Sequence, residues 1–160
     1  MKAAENVGGH GQYMTFQLSG QEYGLSIMQV REIIGYRSLT RVPQTPPFIL
    51  GVINLRGNVV AVLDLALRFG LTPSPITGRT CIIIVEANLT GKPVRTGILA
   101  DSVSKVLELS PDEILPAPAF GTRVREDFLR GVGRVGETFV LLLDVNKVLL
   151  NGGLPTSAAA

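Results

Sequence analysis

The sequence has one cysteine, one histidine and no tryptophan among 160 residues. A structural zinc site takes about four nitrogen or sulfur ligands, so no such site can be assembled. A disulfide framework is excluded too, which favours a reducing, cytosolic compartment. Histidine-based catalysis could rest only on His10, within the polar, glycine-rich opening MKAAENVGGHGQ. No run of about 18 apolar residues exists, so no membrane-spanning helix is expected, and the opening lacks the apolar stretch of a secretory signal. Aromatic residues make up 6% and the net charge is only +2, which argues against a nucleic-acid surface of clustered cations and stacking rings. Charged residues make up 18%, below the usual share of about 25%. Apolar patches are therefore expected to stay uncovered in the isolated chain. Lysine is also scarce (Lys2, Lys92, Lys105 and Lys147), and the other basic residues are arginines, the cation favoured at protein interfaces.

What is present reads as short strands. Met14, Phe16 and Leu18 alternate with Tyr13, Thr15 and Gln17, and Ser19 to Glu22 forms a turn into a return strand. Ser26 to Gln29 suits one helical turn, and Val30 to Tyr36 is extended. In that strand Val30, Glu32 and Ile34 are expected on one face, with Arg31 and Ile33 on the other. Pro43, Pro46 and Pro47 make Thr40 to Phe48 a loop. Ile49 to Leu55 and Asn58 to Leu65 follow, the second apolar enough for burial on both faces. Leu65 to Phe69 is a short helix closed by Gly70. Pro73 to Gly78 is a linker-like turn.

The second half repeats this style. Thr80 to Val85 pairs with Val94 to Ala100 across Thr90 to Pro93. Val103 to Leu109 is a strand, Ser110 caps a helical turn, and Pro116 to Pro118 is extended. Phe128 to Val135 and Thr138 to Leu143 form a hairpin, and Asp144 caps a short C-terminal helix to Leu150. Strands at such spacing indicate an all-β sandwich or barrel, and two halves of about five strands could each close into a small barrel.

Several motifs admit a plain reading. Gly131 to Gly136 matches GxGxxG, but a strand follows it where a dinucleotide site needs a helix, so its glycines serve turns and bulges. Cys81, inside TCIIIV, is a small core residue. No carboxylate pair stands out as acid and base. Arg123, Arg125, Arg130 and Arg134 form the densest basic patch, either a solvated face, a protein contact or a phosphate track. Asn54-Leu55-Arg56-Gly57 places an arginine between two apolar strands, as either an ordinary turn or a binding hot spot.

The ordered set of motifs resembles the CheW family of chemotaxis coupling proteins over Tyr13 to Leu150. The matching segments are Glu22-Tyr23-Gly24, VREIIGY (30–36), TRVPQTPPFILGVINLRG (40–57), VLDL (62–65), ADSVSKVLEL (100–109), LPAPAF (115–120) and FLRGVGRV (128–135). The resemblance implies two five-stranded SH3-like barrels packed across a shared hydrophobic core, within one domain spanning 13–150. A flexible leader (1–12) and tail (151–160) flank it, with the subdomain boundary near 73–79. It also implies a non-catalytic adaptor without cofactor or metal. Such a protein bridges the cytoplasmic hairpin tips of chemoreceptors to the regulatory domain of the histidine kinase CheA, and further CheW copies can join it in rings. Its location would be cytoplasmic, reaching the membrane only through receptors, with no nucleic-acid partner. A chemosensory pathway outside flagellar motility is an alternative setting, and a small nucleic-acid-binding barrel a more distant one. Carried onto this chain, the receptor groove would lie between the barrels and use Arg56, Val30, Glu32, Ile33 and Asn54. The kinase contacts, at the barrel ends, are not assigned to residues.

Overall fold

A computed structural model describes residues 11–73, 75–116 and 128–150, with only the backbone of Leu150. The expected tail, most of the leader, Ala117 and Pro118, and Arg123 and Arg125 of the basic patch lie outside the described residues. The strands are β1 (Gln12–Leu18), β2 (Gln21–Ser26), β3 (Val30–Gly35), β4 (Ile49–Leu55), β5 (Asn58–Leu63), β6 (Cys81–Leu89), β7 (Lys92–Ala100), β8 (Ser102–Glu108), β9 (Ile114–Leu115), β10 (Leu129–Val135) and β11 (Thr138–Leu143). Two short helices, α1 (Leu65–Arg68) and α2 (Val145–Leu150), follow β5 and β11. Single 3-10 turns occupy Ile27–Gln29 and Pro111–Glu113. The first strand thus begins at Gln12, which was expected to close the leader.

The all-β architecture is present as two sheets, of six and five strands. Their orders are β8-β1-β2-β11-β10-β9 and β3-β6-β7-β5-β4. The sheets do not divide at 73–79. That segment joins α1 to β6, and the strands on either side of it, β5 and β6, belong to the same sheet. The chain enters the five-stranded sheet at Val30 and leaves it at Ala100, while both ends of the described chain build the other sheet. Tight hairpins make these pairings local. Ser19-Gly20, Arg56-Gly57 and Thr90-Gly91 each place two successive residues at positive φ between paired strands, as a type I′ turn requires.

The two sheets repeat one plan. Phe48, Gly51, Val60, Leu63 and Asp64 recur at a constant interval as Phe128, Gly131, Val140, Leu143 and Asp144. The repeat extends to hydrogen bonds: Asp64 N donates to Phe48 O at 2.8 Å, and Asp144 N to Phe128 O at 2.9 Å. Gly51 and Gly131 are equivalent too, since a Cβ on either would press a backbone carbonyl oxygen, Thr40 O at 2.5 Å or Leu115 O at 2.7 Å. After each repeat comes a helix capped by its aspartate, with Ala66 N donating to Asp64 Oδ1 and Lys147 N to Asp144 Oδ1. Each sheet is completed by a hairpin that enters parallel, β7 beside β5 and β2 beside β11.

Three apolar clusters hold this arrangement. The main one lies between the sheets and includes Phe16, Leu18, Tyr23, Leu25, Leu63, Ile83, Val85, Ile98, Phe128 and Leu143. A second fills the concave side of the five-stranded sheet with Ile53, Leu55, Val60, Val62, Ile82, Ile84 and Leu99. A third, Tyr13, Leu109, Val140 and Leu142, does the same for the six-stranded sheet. β6 is apolar throughout its middle because odd and even residues serve different cores. β1 departs from the expected alternation for the same reason: Tyr13 is buried in the third cluster while Phe16 and Leu18 enter the main one. Arg68 ties the units together. Its guanidinium carbon lies 4.9 Å from the Phe48 ring centroid and 4.6 Å from that of Phe128, the two equivalent phenylalanines.

Candidate functional site

The β4–β5 hairpin presents Arg56 at its tip. Arg56 has φ +52° and Gly57 φ +87°, so a β-unbranched but bulky side chain sits in left-handed backbone. Asn54 braces this turn, its Oδ1 accepting from Gly57 N at 2.8 Å. The carbonyl of Asn54 also accepts from Arg37 Nη1 at 3.5 Å. From the tip, Arg56 forms a fork-to-fork pair with Glu32 of β3: Nη1 meets Oε2 at 2.5 Å and Nη2 meets Oε1 at 2.7 Å. β3 and β4 are the two edges of the five-stranded sheet, so this pair spans between edges. Beyond it, Thr40, in the loop that follows β3, joins Val52 of β4 through reciprocal backbone bonds of 2.9 and 2.8 Å.

The register of β3 corrects the expected division of its faces. Val30 pairs with Val85, but Glu32 pairs with Ile84, so a bulge at Arg31 shifts the phase. Val30 consequently packs on the main core, and Ile34 on the concave-side cluster with Ile82 and Ile84. Glu32 shares the concave side with Ile34, whereas Val30 falls with Ile33. Of the five residues singled out from sequence, Glu32 and Arg56 bond directly and Asn54 supports their turn. Val30 and Ile33 lie across β3, Val30 half-buried and Ile33 45% exposed.

A second carboxylate extends the charged rim. Glu86 accepts from Arg31 Nη2 at 3.1 Å through Oε2 and from Arg95 Nε at 3.0 Å through Oε1. Glu86 stands opposite Arg95 across the β6–β7 hairpin. The strand expected over Thr80 to Val85 runs on to Leu89, and the Thr90-Gly91 turn with its symmetric register places this pair, which the expected span leaves out. Nearby, Val59 on β5 is 75% exposed, which departs from the two-sided burial expected of its apolar run. The other side of that run, Val60 and Val62, is buried as expected.

Both carboxylates are held below the ordinary glutamate value. The Arg56 hydrogen bonds are the main cause for Glu32, partly opposed by desolvation and helped by the charges of Arg56, Arg95 and Arg37. For Glu86 the cause is its bonds to Arg95 and Arg31. A lowered folded-state value means that the contribution of Glu32 is fully present above the ordinary glutamate value of about 4.3 and fades as pH falls through the lower folded one. A carbon-detected NMR titration should show the Glu32 carboxyl titrating below the value of an unpaired glutamate. In Arg56→Ala its midpoint should rise towards that value, and an unmoved midpoint would contradict the pairing. By contrast, burial pushes the Cys81 thiol up, which suits a packing residue and not a nucleophile. Among the described residues, no cluster of three or more His, Cys, Asp or Glu could hold a metal ion, and no helix is long and apolar enough to cross a membrane.

The family model for the CheW-like domain matches residues 12–151. The chain belongs to the CheW-like family. A chemotaxis protein CheW from Klebsiella aerogenes is 39% identical over 147 residues, covering 92% of this chain and 85% of that protein. A probable chemotaxis protein CheW from Rhizobium etli is 36% identical over 140 residues, covering 88% of each. The crystal structure of the scaffolding protein TtCheW from Thermoanaerobacter tengcongensis has a TM-score of 0.78 at 31% identity, covering 88% of this chain and 92% of that one. The family match spans both sheets. The CheW-like fold therefore accounts for the nested order of strands that the composition alone left open.

Proposed function

We propose that this CheW-like chain is a non-catalytic scaffold of chemotaxis signalling. In this reading it couples the cytoplasmic hairpin tips of chemoreceptors to the regulatory domain of the histidine kinase CheA, with other CheW copies as ring neighbours. It works in the cytoplasm and meets the membrane through receptors, using no cofactor. Arg56, Glu32, Ile33, Val30 and Asn54 form the receptor contact. The observation that carries the reading is the Arg56–Glu32 fork at the tip of a strained hairpin, within a family whose solved relative is described as a scaffolding protein. Glu32 holds the guanidinium in one geometry, so a helical hairpin meets a preset charge pair with little ordering cost. Ile33, on the opposite face of β3, adds exposed apolar area at the same sheet edge.

Co-sedimentation with receptor-bearing membranes tests this. Arg56→Ala should lower recruitment about tenfold, in line with the roughly 1–3 kcal/mol typical of an anchor residue. The surface position leaves the thermal midpoint within a few degrees of the parent chain. Full recruitment of a folded Arg56→Ala variant would refute the assignment.

A further inference from the structure

The ladder between parallel strands β5 and β7 covers only Ala61–Leu63 and Thr96–Ile98. Upstream, the strands separate, and a cleft of about 470 Å³ opens between them. Its walls are Leu55, Val59 and Val60 on one side and Pro93 and Val94 on the other, with Arg56, Glu86 and Arg95 at its rim. Residues 58–60 pair only with β4 and residues 93–95 only with β6, so both strands turn an unpaired backbone edge towards the gap. Its charged lining is Arg56 and Arg95 against Glu86, with Arg31 bonded to Glu86 and Glu32 to Arg56. Arg56 spends both Nη atoms on Glu32, and Arg95 spends Nε on Glu86. No hydrogen bond among the described residues uses the Nη atoms of Arg95.

We infer that this cleft binds an extended protein segment carrying a carboxylate side chain beside aliphatic ones. The aliphatic residues lie against Val59 and Val94, the backbone meets the open strand edges, and the carboxylate pairs with the Nη atoms of Arg95. Cations outnumber anions at the rim, so an acidic segment is complementary where a basic one is repelled. The inference needs the cleft and Arg95; Arg56, the receptor anchor, touches the rim but has both Nη atoms on Glu32.

The test uses isotope-labelled full chain and two blocked peptides, Ser-Val-Glu-Val-Ser and Ser-Val-Gln-Val-Ser, followed by amide NMR shifts. The glutamate peptide should move the amides of Val59, Val94 and Arg95 and bind about three- to fivefold tighter than the glutamine peptide, as an exposed ion pair allows. Arg95→Met should abolish that preference, and Val59→Ser should weaken both peptides. An absence of shifts at these amides with millimolar peptide, equal binding of the two peptides, or a preference that survives Arg95→Met would overturn the inference. Receptor recruitment in Arg95→Met separates the two proposals, because the receptor contact excludes Arg95 and should persist.

Discussion

Phe16→Ala is expected to lower the free energy of unfolding by about 3–5 kcal/mol, a large part of the roughly 5–15 kcal/mol of a typical domain. Phe16 is fully buried, and its ring stacks on Tyr23 with centroids 5.8 Å apart. Tyr23 in turn lies 5.9 Å from Phe69, and Phe69 lies 5.5 Å from Phe128. This file of rings runs from β1 and β2 through the residue that ends α1 to the entrance of β10, so it ties the helix that follows the five-stranded sheet to the six-stranded one. Truncation removes area and leaves a void within the main core. Urea denaturation measures the effect, and a loss below about 1 kcal/mol would show that the site relaxes freely. The phenol of Tyr23 is pushed up to about 12 by burial, which fits the same dry interior.

Gly97→Ala should cost about 1–3 kcal/mol by overpacking. A Cβ there would lie 2.7 Å from Ile82 Cγ2 and 3.2 Å from Val62 Cγ2. Both neighbours are fully buried and β-branched, so neither can swing aside without leaving its rotamer. The double variant with Ile82→Ala removes the obstructing atom, and its loss should be smaller than the sum of the single losses. Additive losses would contradict the steric account. Gly24 occupies the same place beside β11, but there the nearest atom is the end of Leu142, Cδ2 at 2.9 Å. Gly24→Ala should therefore be milder.

Much of this was readable from the residues because it is local. Apolar runs marked the strands, glycines marked turns and the end of α1, and Asp144 marked the start of α2. What escaped depends on partners distant in the chain. The bulge at Arg31 exists only in register with β6, and nothing in VREIIGY announces it. The exposure of Val59 follows from the parting of β5 and β7, which a continuous apolar run conceals. The two-sided burial of β1 follows from the curl of a sheet whose other strands come mostly from the far end of the chain. At the site, the motif resemblance named Arg56 and Glu32. The Glu86–Arg95 pair needed the hairpin register, and the cleft needed the end of a parallel ladder.

The order of strands also bears on how the chain acquires its fold. Strands β3 to β7 are contiguous and complete one sheet by Ala100. The first hairpin has only β8 and, much later, β10 and β11 to join, and the parallel contact of β2 with β11 closes a loop of nearly the whole described chain. Topologically, the middle of the protein is an insertion within a module split between its two ends. During synthesis the inserted sheet can form on the emerging chain, while Phe16, Tyr23 and Leu25 wait for residues made last.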